Sequence, residues 1–197
     1  NWKKKATVIL PIPTENCIAP QKNDNAVYYT FFNPVTVKGS KIMATLIKQN
    51  PQRLFMIVLG WELKMDWDLD IKQHKNVMVI PPQQNVAEIY SFSKVVLMPS
   101  QWEETFGRVQ FEAAMNQIPI CISACGGLQH YFCGNGVCVK DYTQPQAWQE
   151  AIEYLDDPQH YNQAVESCKQ LVQGYSFKKQ LDTFLESIRP FVKVNTQ

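Results

Sequence analysis

No apolar run in this sequence approaches the ~20 residues that a membrane-spanning helix needs, so no such helix is expected. Histidine is scarce as well. His74, His130 and His160 are scattered and match no metal-ligand spacing, so no protein-held metal is expected. Neither sign of charge dominates: 19 Lys and Arg against 18 Asp and Glu leave a net charge of +1. That balance offers no broad basic face for nucleic acid and makes any cationic site a local one. The six cysteines (Cys17, Cys121, Cys125, Cys133, Cys138 and Cys168) contain no C-x-x-C pair. They read as reduced thiols of a cytoplasmic protein. Cys121 lies in an apolar run, where cysteine behaves as a small hydrophobe. The opening run through Lys3, Lys4 and Lys5 does not read as a signal peptide, because its apolar stretch is short and meets Pro11 and Pro13. Internal repeats and low-complexity segments are also absent from the sequence.

What is present is an alternation of apolar runs and helical patterns. The 197 residues, 45% of them hydrophobic, suffice for one domain with a real core. Residues 27–32, 53–60, 76–80, 95–98, 119–123 and 136–139 read as buried strands. Between and after them, helices are expected over 39–50, 85–93, 107–116, 145–155, 158–173 and 176–188, with an ambiguous helical stretch at 68–74. Asn50-Pro51 stops the first helix, and Gly126-Gly127 breaks the chain after the fifth strand. Residues 1–25 read as a lead-in strand (7–10) and linker, 26–175 as the main domain, and 176–197 as a terminal helix and tail. Strands separated by helices of this size form parallel βαβ units with right-handed crossovers. The expected fold is therefore α/β: a doubly wound, Rossmann-like parallel sheet of about six strands with helices on both faces.

In such sheets ligands bind outside the carboxyl ends of the strands. The candidate chemistry falls there. Gly107-Arg108-Val109 opens a helix whose first amides lack intrahelical partners, a seat for an anion. Glu112 lies about one and a half turns further on and can clamp two adjacent hydroxyls. Glu104, in the preceding loop, can accept from the hydroxyls of a second sugar. Lys38 stands at a helix start where it can neutralise a diphosphate. Gly60 offers room for a base or ribose, and Gly126-Gly127 permits close approach to a ligand. Each has a plainer alternative: a simple βα turn at Gly107, helix-dipole compensation for the glutamates, a solvated lysine and ordinary turn glycines.

Residues 99–113, PSQWEETFGRVQFEA, resemble the signature of retaining glycosyltransferases of the two-domain GT-B fold, family 4 type. The resemblance extends from Val27 to about Leu155. It includes Lys38-Gly39, Leu59-Gly60 and Gly126-Gly127-Leu128, and it is Glu104 rather than Glu103 that has the family spacing to Glu112. It implies that Glu112 binds the ribose of a nucleotide-sugar, Glu104 orients the donor sugar, and Lys38 neutralises the diphosphate. The amides of Gly107, Arg108 and Val109 would cradle phosphate, and Val79 and Ile80 would flank the base.

The chain departs from the pattern in three ways. Asn33 stands where the family usually has an arginine, so either Lys38 acts alone or Arg108 compensates. His130 replaces a frequent glutamate and is not expected to be catalytic. Only the carboxyl-terminal, donor-binding half is matched, so the acceptor half (for a sugar, a lipid-linked or another acceptor) is expected elsewhere. The isolated domain should bind its donor weakly and transfer little. A binding or scaffolding module derived from a transferase is the alternative, and a sugar epimerase or phosphorylase fits the glutamate spacing poorly. No cofactor beyond the donor substrate is implied. The full-length protein is expected in the cytoplasm, with room for peripheral attachment at the inner membrane face. Its terminal helix could cross to the other domain or serve self-association.

Overall fold

The computed structural model describes residues 17–19, 26–60 and 74–191. The expected lead-in strand at 7–10 and most of the stretch at 68–74 lie outside them. Six strands form one parallel sheet: β1 (Tyr28–Phe32), β2 (Leu54–Val58), β3 (Val77–Ile80), β4 (Ser93–Met98), β5 (Ile120–Ser123) and β6 (Val137–Val139). Their order is β3-β2-β1-β4-β5-β6, so the chain reverses direction across the sheet between β1 and β4. Among the described residues seven α-helices accompany them: α1 (Ser40–Gln49), α2 (Ala87–Phe92), α3 (Arg108–Met115), α4 (Gly126–Phe132), α5 (Pro145–Tyr154), α6 (Pro158–Gly174) and α7 (Phe177–Ile188). The doubly wound α/β fold expected from the sequence is the fold observed.

Strand periodicity divides the core in two, because successive side chains point to opposite faces. Tyr29, Phe31, Phe55, Ile57, Val95, Leu97 and Cys121 pack with Ile42, Met43, Leu46 and Ile47 of α1 and with Trp148 and Ile152 of α5. The alternate residues Phe32, Met56, Val58, Val96, Met98, Ile120 and Ile122 pack with Tyr90, Phe111, Leu128, Phe132 and Leu171. Both faces are thus buried, which is why the strands read as continuous apolar runs. Thr30 is the polar exception in β1. It is completely buried, but its hydroxyl meets that of Ser93 at 2.7 Å, and Ser93 donates to the Ile89 carbonyl at 2.8 Å.

Side chains also close the helix ends. Asn50 ends α1: its amide nitrogen donates to the Leu46 carbonyl at 2.8 Å, and its own carbonyl accepts from Asn76 at 3.0 Å. Asp157 caps α6 by accepting from the Gln159 amide at 2.7 Å, and Pro158 fills the first helical position, where no amide is needed.

Two expectations are corrected. Gly126-Gly127 does not merely break the chain but starts α4, a helix that two glycines hide from propensity reasoning. The thiols are not all reduced. Cys133 and Cys138 form a disulfide across the turn joining α4 to β6, their Cα atoms 5.3 Å apart and within bridging range. The cytoplasmic reading leaned on six reduced thiols and loses that support. Cys17, Cys121, Cys125 and Cys168 are buried and lie outside the bridge, and burial pushes the Cys168 thiol up to about 12. No helix among the described residues is long and apolar enough to cross a membrane.

Trp148 is the largest fully buried side chain among the described residues, and its indole donates to the Tyr142 carbonyl at 2.9 Å. Trp148→Ala should therefore lower unfolding free energy by about 3–5 kcal/mol in urea titrations. At the amino ends of the strands, Arg53 pairs with Asp156, and this contact holds the Asp156 carboxyl below the usual carboxylate range. A depressed folded pKa adds stability that is complete above the unfolded value, ~3.9, and is lost as pH falls through the folded one. Asp156→Asn should flatten the acid limb of stability against pH below about 4 and leave the slope near neutrality unchanged.

Candidate functional site

The carboxyl edge of the sheet gathers almost every sequence-predicted residue. β1 ends in Asn33, whose φ of 59° is left-handed, a conformation asparagine tolerates better than most residues. A short 3-10 turn, Thr36–Lys38, follows. At Gly39 (φ 89°) a Cβ would lie 2.0 Å from the Pro99 carbonyl oxygen, so only glycine lets α1 start this close to the loop after β4. That loop is stitched to the same turn, since the Gln101 amide donates to the Val37 carbonyl at 2.8 Å.

This stitching brings Lys38 and Glu104 together. The Lys38 ammonium is ion-paired with Oε1 of Glu104, which also accepts from the Ser100 hydroxyl at 3.1 Å. Both side chains are largely covered, at 22% and 15% exposure, yet reach solvent at the edge. Glu103, rejected on spacing, is exposed. The far side of the loop rests on α4. The Gly127 amide donates to the Glu104 carbonyl at 2.6 Å, and a Cβ on Gly127 would lie 2.1 Å from the Thr105 oxygen. Gly126-Gly127 therefore supports the loop's backbone. Cys125, the residue before them, shares this environment. Its thiol is buried beside the loop, and burial followed by the charges of Glu104 and Glu103 pushes its pKa up.

Gly107 (φ 99°) precedes α3, whose first residue is Arg108, and no side chain caps the helix. The amides of Arg108 and Val109 thus head an uncapped helix beneath the loop. Phe106 anchors the turn, its ring 5.0 Å from Tyr131 and 5.4 Å from Phe132. Glu112 is 7% exposed and is held at both oxygens: Tyr90 donates to Oε2 at 2.8 Å, and Arg108 lies 3.4 Å from Oε1. Burial, then the neighbouring Glu112 carboxylate, raises the Tyr90 phenol well above its ordinary pKa, so it remains a hydrogen-bond donor at neutral pH. Tyr90 escaped sequence reasoning, because a tyrosine at helical spacing among apolar residues reads as core.

Two predicted residues have additional neighbours. The space a Cβ would take at Gly60 holds the Asn33 carboxamide, 1.3 Å away. Ile80 ends β3 and lines a concavity of about 410 Å³ with Met56, Met78, Asn85 and Ile89. His130 packs edge-on against Tyr131 at 4.6 Å. Among the described residues no three His, Cys, Asp or Glu side chains gather as a metal site.

Taken together, the edge presents a held lysine, two held carboxylates and an uncapped helix start, an arrangement that can receive an anion flanked by hydroxyls. Comparisons with known proteins bear on the family and the fold. The model of the family "Glycosyl transferases group 1" matches residues 32–171. Spore coat protein SA of Bacillus subtilis (strain 168) is 29% identical over 86 residues, 43% of this chain and 23% of that protein. Sucrose-phosphate synthase from Thermosynechococcus elongatus superposes with a TM-score of 0.76 at 20% identity, over 92% of this chain and 52% of that one. Anabaena HepE, solved in complex with UDP and glucose, gives 0.68 at 16%, over 84% of this chain and 48% of that one. The chain thus spans about half the length of these structural relatives and less of the curated one. On the family match over residues 32–171, the chain belongs to the glycosyl transferases group 1 family.

Proposed function

We propose that the chain is the donor-binding half of a retaining glycosyltransferase, which moves a sugar from a nucleoside-diphosphate sugar to an acceptor. The observation that carries this reading is the convergence of the Lys38–Glu104 pair, the uncapped start of α3 and the held Glu112 at one sheet edge. The complexes of HepE with UDP and with UDP-glucose support a nucleotide-sugar as donor.

On this reading the bond from the anomeric carbon to the diphosphate oxygen breaks, and its electron pair leaves with the diphosphate. Lys38 spends one ammonium N–H on Glu104 and offers the others to that developing charge. The amides of Gly107, Arg108 and Val109 cradle the phosphates. Glu104, its Oε1 engaged by Lys38 and Ser100, turns Oε2 toward the sugar hydroxyls. Glu112, oriented by Tyr90, accepts from the ribose hydroxyls. Arg108 supplies the second positive charge that Asn33 does not, since its side chain is 68% exposed beside the phosphate seat. Ile80, Gly60 and Asn33 border the base and ribose, and Gly126-Gly127 keeps the loop in place. No bound metal is invoked. The acceptor is positioned by a further domain, so this half alone binds donor and transfers little.

A binding-only module is favoured by Asn33 and by the neutralisation of Lys38 by Glu104. In the full-length protein, transfer that Lys38→Ala abolishes would exclude it.

Calorimetric titration with UDP, GDP, ADP and their glucose conjugates should find one base that binds. Glu112→Gln should weaken that nucleotide about 10- to 100-fold, while a 2′,3′-dideoxy nucleotide loses little between the two proteins. Lys38→Ala should weaken the diphosphate by a similar factor and leave the nucleoside unchanged. Absence of nucleotide binding by a well-folded sample would contradict the proposal.

A further inference from the structure

Gln110 is completely buried, and among the described residues it is the one whose buried side-chain nitrogen and oxygen both lack a hydrogen-bond partner. Buried amides are nearly always paired, and leaving one unpaired is costly. A shape-matched apolar residue would spare that cost, so the carboxamide calls for an explanation.

Its position supplies one. Gln110 lies in the first turn of α3, and its side chain folds back beneath the residue that opens the helix. A Cβ on Gly107 would lie 2.7 Å from the Gln110 Oε1 and 3.1 Å from its Cδ. The Leu128 Cδ2 of α4 stands at 2.7 Å from the same point and walls the other side. Because Gly107 has no side chain, the carboxamide is the polar group directly behind the bare backbone at the helix start. A half-turn about its last torsion exchanges oxygen for nitrogen in place and presents two N–H donors.

We infer that Gln110 is a ligand-reading residue: its carboxamide donates, past Gly107, to a phosphate oxygen of the bound nucleoside diphosphate. The inference rests on the proposed donor site and adds to it a residue that the signature positions do not include. The α3 start already offers amides to an anion. Gln110 adds a side-chain donor that is closed to solvent at rest, so seating the phosphate requires the Gly107 turn to part from it. Its unpaired state before the ligand arrives is then a stability sacrifice that binding recovers.

This makes stability and affinity move in opposite directions when the amide is removed. Gln110→Leu and Gln110→Met, close in volume, would be compared with the unaltered protein by thermal melting without ligand. Calorimetry would then be run with UDP, GDP and ADP, each against its own nucleoside. The expected result is a melting temperature raised by about 2–4 °C. Diphosphate affinity should fall about 10- to 100-fold, with nucleoside affinity unchanged. Raised melting with unchanged diphosphate affinity would overturn the inference while leaving the donor site standing. Lowered melting, with either affinity pattern, would show that the carboxamide braces the turn and would also overturn it. Failure of the unaltered protein to bind any of the three diphosphates would remove both the inference and the donor-site reading beneath it.

Discussion

The loop between β4 and α3 is held by backbone-to-backbone contacts that tolerate no side chain, and the site depends on them. On one side Gly39 presses against the Pro99 carbonyl; on the other Gly127 presses against Thr105 and donates to the Glu104 carbonyl. A methyl group at either glycine would overlap backbone atoms, which cannot move aside as the end of a flexible side chain can. Clamped between α1 and α4, the loop carries Glu104 to Lys38 across 66 residues of sequence. The parallel sheet supplies the level platform, but these two contacts bring the charged groups into register.

The charges at this edge are paired with one another before any ligand is present. Lys38 is taken by Glu104, and Arg108 lies against Glu112. Each pair is within reach of solvent, so an anion can compete for its cation without a deep desolvation cost. Pairing keeps long side chains in place at neutral net charge, and an entering diphosphate would redistribute contacts already formed. The opposite edge of the sheet has its own ordered cluster in Arg53, Tyr29 and Asp156, with the Lys94 ammonium 5.6 Å from the Tyr29 ring. There the two carboxylate oxygens of Asp156 satisfy the guanidinium of Arg53, which gives that cluster a structural role.

Much of this was legible in sequence because both faces of the sheet are covered. The apolar runs at 53–60 and 119–123 announced parallel strands, and the spacing of Ile42, Leu46 and Ile47 announced α1. The edge rule then selected Lys38, Glu104, Gly107 and Glu112 as neighbours. What escaped depends on distance in space. α4 was hidden because its two glycines answer to a loop packed against them, a tertiary requirement that outweighs helix propensity. The Cys133–Cys138 bridge depends on a turn whose closure spacing did not reveal. Tyr90 was not singled out, because a buried tyrosine on a short helix carries no sign that its hydroxyl reaches Glu112 from another helix. Gln110 drew no reading from sequence, since nothing in its spacing shows that it is sealed beneath Gly107. Asn33 seemed only to lack a charge, whereas its left-handed backbone also sets the exit from β1.

The central claim is that the carboxyl edge of this sheet, at the start of α3, seats the diphosphate of a nucleotide. Backbone amide NMR during titration with UDP, GDP or ADP tests it most directly. The account predicts that the Gly107, Arg108 and Val109 amides shift first and furthest, with Gly39 and Gly127 following as the clamped loop adjusts. Shifts confined to the opposite edge, around Arg53 and Lys94, or no shift with any of the three nucleotides, would contradict it.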